Sequence, residues 1–108
     1  MAVKEITDEN FQEEVIASEE VVVVDFYAVW CKPCKLLAQV MEGLSEEYSS
    51  GVKFYKADVE TNSDSVAKYG VTGVPAVQTF KAGELIDQRV GLRSRKEIKK
   101  DIDEVLNG

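Results

Sequence analysis

The sequence predicts an α/β fold in which parallel strands alternate with helices and a hairpin extends the sheet. Residues 21–27 are β-branched and apolar without alternation, which is typical of a central strand covered on both faces. An amphipathic helix from 31 or 32 to about 48 follows, and then a strand at 52–58; this order predicts parallel strands joined by right-handed crossovers. The strands predicted at 77–81 and 85–90 are joined by only three residues, which requires antiparallel pairing.

The beginning of the chain predicts a strand and then a helix. Residues 1–5 resemble the start of a strand, and Thr7 is placed to cap a helix that ends near Ser18. Ile6 precedes this cap and Phe11 lies four positions into the helix, which is the spacing of a hydrophobic staple. The helix should therefore direct a narrow apolar stripe toward the core.

The other helices are bounded by turn and capping residues. The helix at the cysteines should end at Ser49-Ser50-Gly51, and a short helix is expected at 64–69. Ser94 and Glu97 form a capping-box signature for the last helix. The apolar positions of the two long helices are Leu36, Leu37, Val40, Met41 and Leu44 in the first, and Ile98, Ile102, Val105 and Leu106 in the last.

Length and charge restrict the possible functions. A chain of 108 residues predicts one domain, residues 1–108, with a single core. The net charge of −7 argues against binding to nucleic acid or to anionic membranes, because both require a basic face. The first residues contain no apolar signal region and no stretch approaches a membrane span, so the cytoplasm is the expected location.

Trp30-Cys31-Lys32-Pro33-Cys34 contains the only two cysteines, at the point where a strand gives way to a helix. The first turn of a helix brings Cα atoms at this spacing within about 7 Å, close enough for a disulfide. A closed zinc site needs four ligands, and with two cysteines and no histidine a metal could bind only between two chains. No cofactor is expected. A structural disulfide is the alternative, but so short a ring would stabilise little, and a reducing compartment favours a redox-active pair.

Asp25 is the one charged residue within the apolar strand at 21–27. A carboxylate buried there without a partner is costly unless it takes up a proton. A buried acid with a raised pKa can exchange protons near neutral pH, which makes Asp25 the candidate for proton transfer to and from Cys34. The required distance suggests that a water molecule would carry the proton.

Several short motifs occur in a fixed order along the chain. They are Asp25-Phe26-Tyr27-Ala28, Trp30-Cys31-Lys32-Pro33-Cys34-Lys35, Tyr69-Gly70-Val71, Gly73-Val74-Pro75, Phe80-Lys81-Ala82-Gly83 and Val90-Gly91. With these motifs the sequence resembles the thioredoxin family over essentially its whole length. The resemblance implies a thioredoxin fold, a central five-stranded mixed sheet flanked by four helices, and a protein-disulfide reductase activity. It also implies disulfide-containing proteins as substrates, a thioredoxin reductase as electron donor, and a monomer.

The two cysteines are expected to have different roles. A helix N-terminus stabilises a thiolate, so Cys31 is expected to be the exposed nucleophile that attacks a substrate disulfide. Cys34, one turn further in, would resolve the mixed disulfide. The resemblance implies that Lys56, on the neighbouring strand, pairs with Asp25; a purely structural pair of these two residues is the alternative.

A substrate-binding rim is expected around the cysteines. The resemblance implies that Pro75 follows a cis peptide bond opposite them, which would leave the Val74 backbone free to pair with an extended substrate segment. Trp30, Gly73 and Gly91 would complete a flat apolar rim, where small residues admit a substrate backbone. For Trp30, a place in the core is the alternative.

Four positions depart from the family pattern. They are Lys32 for a glycine, Tyr27 for a tryptophan, Ala76 for a threonine and Gln39 for a helix-kinking proline. A lysine about 6 Å from the Cys31 thiolate would stabilise that anion by about 0.7 kcal/mol in water and raise the redox potential by roughly 15 mV. Lys32 and Pro33, which lie between the cysteines, are therefore the expected redox-tuning residues. A solvated lysine without redox effect is the alternative.

Three functions are compatible with these observations. The first is an electron carrier that reduces protein disulfides and is recycled by a reductase. The second is a thiol oxidase or isomerase, which needs stronger stabilisation of the reduced form. The third is a binding subunit whose cysteines are incidental. The complete set of Asp25, Trp30, both cysteines and Pro75 favours the first.

Overall fold

The computed structural model describes residues 3–48 and 50–108. The parts of the predictions that fall on Met1, Ala2 and Ser49 lie outside the described residues.

In the described ranges five strands form one mixed sheet, which confirms the architecture that the family resemblance implies. In spatial order the strands are β1 Val3–Glu5, β3 Val52–Asp58, β2 Val21–Tyr27, β4 Ala76–Lys81 and β5 Glu84–Val90. The central strand β2 pairs in parallel with β3 and antiparallel with β4. β1 extends the parallel side beyond β3, and β5 extends the antiparallel side beyond β4.

Among the residues that the structure describes, four helices flank this sheet. They are α1 Asp8–Phe11, α2 Lys32–Ser45, α3 Ser63–Lys68 and α4 Arg95–Asn107. No helix in the ranges 3–48 and 50–108 is both long enough and apolar enough to span a membrane. α4 begins with the predicted capping box, in which the Glu97 N–H donates to Ser94 Oγ at 3.2 Å and the Ser94 N–H donates to Glu97 Oε1 at 3.0 Å.

The first helix differs from its prediction in kind and in length. Beyond Phe11 it continues as a π-helix over Gln12–Ile16, where the Ala17 N–H donates to the Gln12 carbonyl at 2.9 Å. It ends before Ser18, because the Ser18 hydroxyl accepts the Glu20 N–H at 3.1 Å and turns the chain toward β2.

α2 ends three residues before the predicted end at Tyr48. The Glu47 N–H donates to the Leu44 carbonyl at 3.0 Å, and the Tyr48 N–H donates to the Ser45 carbonyl at 3.3 Å. These bonds span three residues rather than four, so the α-helix tightens into a turn. Tyr48 still contributes to the core, because its ring centroid lies 5.8 Å from that of Phe54.

β2 is buried on both faces, as its apolar run predicts. Val21 and Val23 belong to the core beneath α2 and α4, whereas Val22, Val24 and Phe26 belong to the core beneath α1 and α3. Side chains alternate along a strand, so the odd-numbered positions of β2 face α2. This alternation directs the side chain of residue 25 toward the helix that carries the cysteines.

One apolar position of α2 does not face the core. Leu37, Met41 and Leu44 are fully buried, but Leu36 is 50% exposed. Adjacent helical residues are rotated by about 100° from each other, so the burial of Leu37 turns Leu36 toward solvent.

Candidate active site

The two cysteines lie where α2 begins. Cys31 is the N-cap residue in an extended conformation, and Cys34 lies in the first helical turn. They form a disulfide with Cα atoms 5.3 Å apart. The Cys34 N–H donates to Cys31 Sγ at 3.2 Å. This N–H belongs to the first helical turn and has no carbonyl partner within the helix. It is directed at the sulfur instead, in a position to stabilise negative charge on it.

Both cysteines are buried. Cys31 is 5% exposed and Cys34 is 2% exposed. They form a cluster with Ala28, and Val59 and Val74 are among the partly buried residues that pack against it. The expectation that Cys31 is exposed is therefore wrong for this disulfide form, because side chains from two loops shield the pair.

Lys32 and Pro33 are exposed between the cysteines. Pro33 lies in the first helical turn, where a missing N–H leaves no helical bond unmade. The Lys32 side chain extends into solvent, so its charge acts on Cys31 through a screened field.

Asp25 is buried on the α2 face of the sheet. Its side chain is 2% exposed, and its Oδ1 has no hydrogen-bond partner among the residues that the structure describes. Burial raises the pKa of Asp25 to about 7; the Lys56 ammonium opposes this rise, and the Glu5 carboxylate adds to it. The Asp25 carboxyl therefore changes its protonation near neutral pH.

Lys56 is the neighbour of Asp25 in the sheet but not its ion-pair partner. The two residues are directly opposite in the β2–β3 register. The Lys56 Nζ lies 4.0 Å from Glu5 Oε1, and Glu5 is the register partner of Lys56 on β1. The pair expected between Asp25 and Lys56 is therefore replaced by a pair between Glu5 and Lys56. One cation lies between two acids, and its ammonium is within ion-pair distance of the more exposed acid only.

A cavity of about 310 Å³ connects Asp25 with Cys34. Its remaining lining residues are Tyr27, Ala28, Val29, Lys35, Ala38 and Lys56. A water molecule occupies about 30 Å³ in the liquid, and the charged residues of the lining can bind water, so the cavity has room for a water bridge. An acid and a thiol that face such a space can exchange a proton through water.

Two of the expected rim residues adjoin the cysteines directly: Trp30 precedes Cys31, and Val74 packs against the cysteine cluster. The Val74–Pro75 peptide bond is cis, as the resemblance implies, and the Gly91 N–H donates to the Pro75 carbonyl at 2.8 Å. Within the described residues nothing is hydrogen-bonded to the Val74 backbone. Gly73 is half-buried. Trp30 is 68% exposed, so its alternative placement in the core is wrong.

The departures from the family pattern have local consequences. The Tyr27 hydroxyl donates to both carboxylate oxygens of Glu5 at 2.9 Å, and burial together with this bond raises the pKa of Tyr27. Ala76 is completely buried in β4. α2 runs as an uninterrupted α-helix through Gln39.

Some residues near the site carried no sequence signal. Glu5 lies in line with Lys56 and Asp25 only because of the register between β1 and β3. Lys35 lines the cavity. Val90 and Leu92, which flank Gly91, are exposed apolar residues. Val90 ends β5 and Leu92 lies just beyond it, and two apolar residues this close together at a strand end could have indicated a surface patch.

In the part of the chain that the structure describes, neither metal ligands nor cavity size locates the site. No group of three or more potential metal ligands occurs in the described part of the chain. Two larger cavities, of about 510 and 540 Å³, lie near the end of α4 and include neither cysteine. The site is therefore located by its chemistry rather than by the size of its cavity.

Comparison with known proteins gives one consistent result. The family model described as Thioredoxin matches residues 2–104. Thioredoxin C-2 of Corynebacterium nephridii is 46% identical over 98 residues, which cover 91% of each chain. Thioredoxin of Buchnera aphidicola subsp. Acyrthosiphon pisum is 39% identical over 103 residues, which cover 95% of each chain. Thioredoxin of Porphyra purpurea is 33% identical over 107 residues, which cover 99% of this chain and 100% of the relative.

Proposed function

This chain belongs to the thioredoxin family of protein-disulfide oxidoreductases, and we propose that it reduces disulfides in other proteins through Cys31 and Cys34. The observation that carries the proposal is the disulfide at the start of α2, with the Cys34 N–H donated to Cys31 Sγ. After reduction, the same N–H would stabilise the Cys31 thiolate. A binding subunit with incidental cysteines would need none of this arrangement.

The reaction transfers two electrons in two exchange steps. The Cys31 thiolate attacks one sulfur of the substrate disulfide, forms a mixed disulfide and releases the other substrate sulfur as a thiolate, which takes a proton from water. Cys34 then loses its proton and attacks Cys31 Sγ. This step forms the Cys31–Cys34 disulfide, breaks the mixed disulfide and releases the second substrate sulfur as a thiolate that takes a proton from water, so the substrate is reduced and the chain is oxidised.

Asp25 is the proposed proton acceptor for Cys34. Its pKa of about 7 allows it to accept a proton near neutral pH and to release it afterwards. The shared cavity supports transfer through water. Lys56, which lines the same cavity, is proposed to influence Asp25 by its charge rather than by a direct ion pair.

The substrate is proposed to bind along the rim formed by Trp30, Gly73, Val74, Pro75 and Gly91. The unpaired Val74 backbone supports strand-like pairing with an extended segment, a mode that tolerates many sequences. The exposed indole of Trp30 would cover apolar substrate groups.

The family implies reductases and disulfide-containing proteins as partners in general. We propose that the electron donor of this chain is a thioredoxin reductase linked to NADPH or to ferredoxin. We further propose that residues 1–108 act as one domain and as a monomer in the cytoplasm. The net charge of −7 supports the view that nucleic acids and anionic membranes are not partners.

The order of the two cysteines is tested by trapping. Reduction of a protein disulfide, coupled to NADPH and a thioredoxin reductase, should be abolished by Cys31→Ser and by Cys34→Ser. Only Cys34→Ser should accumulate a mixed disulfide with the substrate, detected by mass spectrometry, because it retains the attacking thiol. Accumulation in Cys31→Ser instead would reverse the assignment, and turnover in both variants would exclude the mechanism.

The role of Asp25 is tested by single-turnover kinetics. Asp25→Asn removes the proton acceptor but keeps the size of the side chain. We expect resolution of the mixed disulfide at pH 7 to slow by about 10²–10⁴-fold, the usual contribution of a positioned acid or base. The first attack by Cys31 should change much less. An unchanged resolving rate would contradict the proposed role.

A further inference from the structure

Three charged residues form a row across the parallel half of the sheet, on β1, β3 and β2. Glu5 on β1 is the register partner of Lys56 on β3, and Lys56 is the register partner of Asp25 on β2. Residues directly opposite in neighbouring strands direct their side chains to the same face. Lys56 therefore lies between two carboxyl groups on the α2 face, with one of them on each side.

Lys56 approaches only one of its two acidic neighbours. Its Nζ lies 4.0 Å from Glu5 Oε1, whereas no ion pair joins Lys56 to Asp25. The Tyr27 hydroxyl donates to both oxygens of Glu5 and fixes this carboxylate. Glu5 is 46% exposed and needs little desolvation to stay charged, whereas Asp25 is buried.

We propose that Glu5 is a positioning residue for proton transfer at Asp25, because it holds the Lys56 ammonium away from Asp25 and so leaves Asp25 able to bind a proton. A lysine paired with Asp25 would favour the charged form of the Asp25 carboxyl. The carboxylate would then be a poorer acceptor for the Cys34 proton. This inference rests on the proposed role of Asp25 in the resolving step.

The other groups around Asp25 do not replace Glu5 in this role. From α2, Cys34 and the exposed Lys35 line the same cavity. From β2 itself, Tyr27 lines it, and its hydroxyl is already donated to Glu5. On the β4 side the register partner of Asp25 is the apolar Val77. From β3, Asp58 lies two residues after Lys56 and directs its side chain to the same face, but its Oδ1 accepts the Glu60 N–H and no ion pair between the described residues joins it to Lys56. Glu5 is therefore the acid whose carboxylate lies within ion-pair distance of Lys56.

The pKa of Asp25 can be measured directly by ¹³C NMR of its carboxyl carbon. The oxidised protein is used, because its disulfide removes both thiols from the titration. In Glu5→Gln the freed lysine should move toward Asp25 and lower the pKa of Asp25 by about one pH unit or more, as an adjacent cation does. The pH at which the resolving rate is half-maximal should fall with it.

Glu9→Gln is the matched control, because it removes the same charge from an exposed residue of α1. The pKa of Asp25 should remain as in the parent in this variant. Equal pKa values of Asp25 in Glu5→Gln and Glu9→Gln would overturn the inference. Folding is not expected to obscure the result, since the half-exposed Glu5 lies outside the core.

A double variant separates positioning from direct repulsion between the two carboxylates. In a Lys56→Met background, Glu5→Gln should lose most of its effect on the pKa of Asp25, because no lysine is left to move. A full effect in that background would mean that Glu5 acts by repulsion alone and would overturn the positioning role. If Asp25→Asn leaves resolution unchanged, the proposed function of Asp25 fails, while the NMR titration still decides the role of Glu5.

Discussion

Burial of Asp25 makes the stability of this protein depend on pH, and Asp25→Asn should remove that dependence. The pKa of the carboxyl is about 7 in the folded protein, against its ordinary value of 3.8. Between these two values the folded protein binds a proton that the unfolded chain has released. The free energy of unfolding therefore falls as pH rises through this interval. At about 1.36 kcal/mol per pKa unit, the separation corresponds to a loss of about 4 kcal/mol by pH 8.

An asparagine at this position has the shape of the acid without its ionisation. We therefore compare the free energy of unfolding of Asp25→Asn with that of the parent. The difference, variant minus parent, should rise by about 4 kcal/mol between pH 4 and pH 8, with most of the rise below pH 7. Urea unfolding of the oxidised proteins at several pH values measures this difference. Glu9→Gln is the control, since it removes an exposed charge and should leave the shape of the curve unchanged. Parallel curves for Asp25→Asn and the parent would refute the reasoning, because the acid would then bind equal numbers of protons in both states.

Other positions test the redox site, the hairpin and the rim. Lys32→Gly should lower the redox potential by about 15 mV against a glutathione buffer, and an equal or higher potential would contradict the effect of its charge. Gly83→Ala should destabilise the protein by about 1–3 kcal/mol more than Gly51→Ala in urea unfolding. Both glycines have positive φ, but only at Gly83 would a new Cβ lie 2.5 Å from the Ile16 carbonyl oxygen, so equal losses would exclude this clash. Trp30→Ala should raise KM for a protein disulfide and change the free energy of unfolding by less than about 0.5 kcal/mol, because the indole is exposed; a larger loss of stability would indicate a packing role.

Elements defined by neighbouring residues could be predicted from the sequence. The strands Val21–Tyr27 and Val52–Asp58 agree with the prediction at both ends, because each contains strand-favouring Val, Phe and Tyr residues and is followed by a turn. The capping box of Ser94 and Glu97 likewise depends only on two residues three positions apart. The end of α2 depends instead on whether the N–H groups of its last residues donate to the carbonyl three or four residues earlier, and no residue pattern near Tyr48 predicts which carbonyl accepts them.

The site itself was only partly predictable. The cysteine spacing and the acid within an apolar strand identify Cys31, Cys34 and Asp25, because both signals are unusual for a structural core. The partner of Lys56 could not be predicted, since it depends on the register between two strands that are far apart in sequence. The burial of Cys31 was missed for the same reason, because distant loops supply the side chains that cover it.

The two sulfurs are subject to separate influences, although one helical turn holds both. Cys31 accepts the N–H of the helix start and lies beside the exposed Lys32, whereas Cys34 faces the cavity that contains Asp25. Salt screens exposed charges over about 10 Å at 0.1 M but screens buried groups much less. Raising the ionic strength should therefore reduce the expected effect of Lys32 on Cys31 and leave the proposed proton transfer from Cys34 to Asp25 nearly unchanged. In the proposed mechanism the nucleophile would thus be tuned from the solvent side and the resolving thiol from the protein interior, so the rates of the two exchange steps could vary independently.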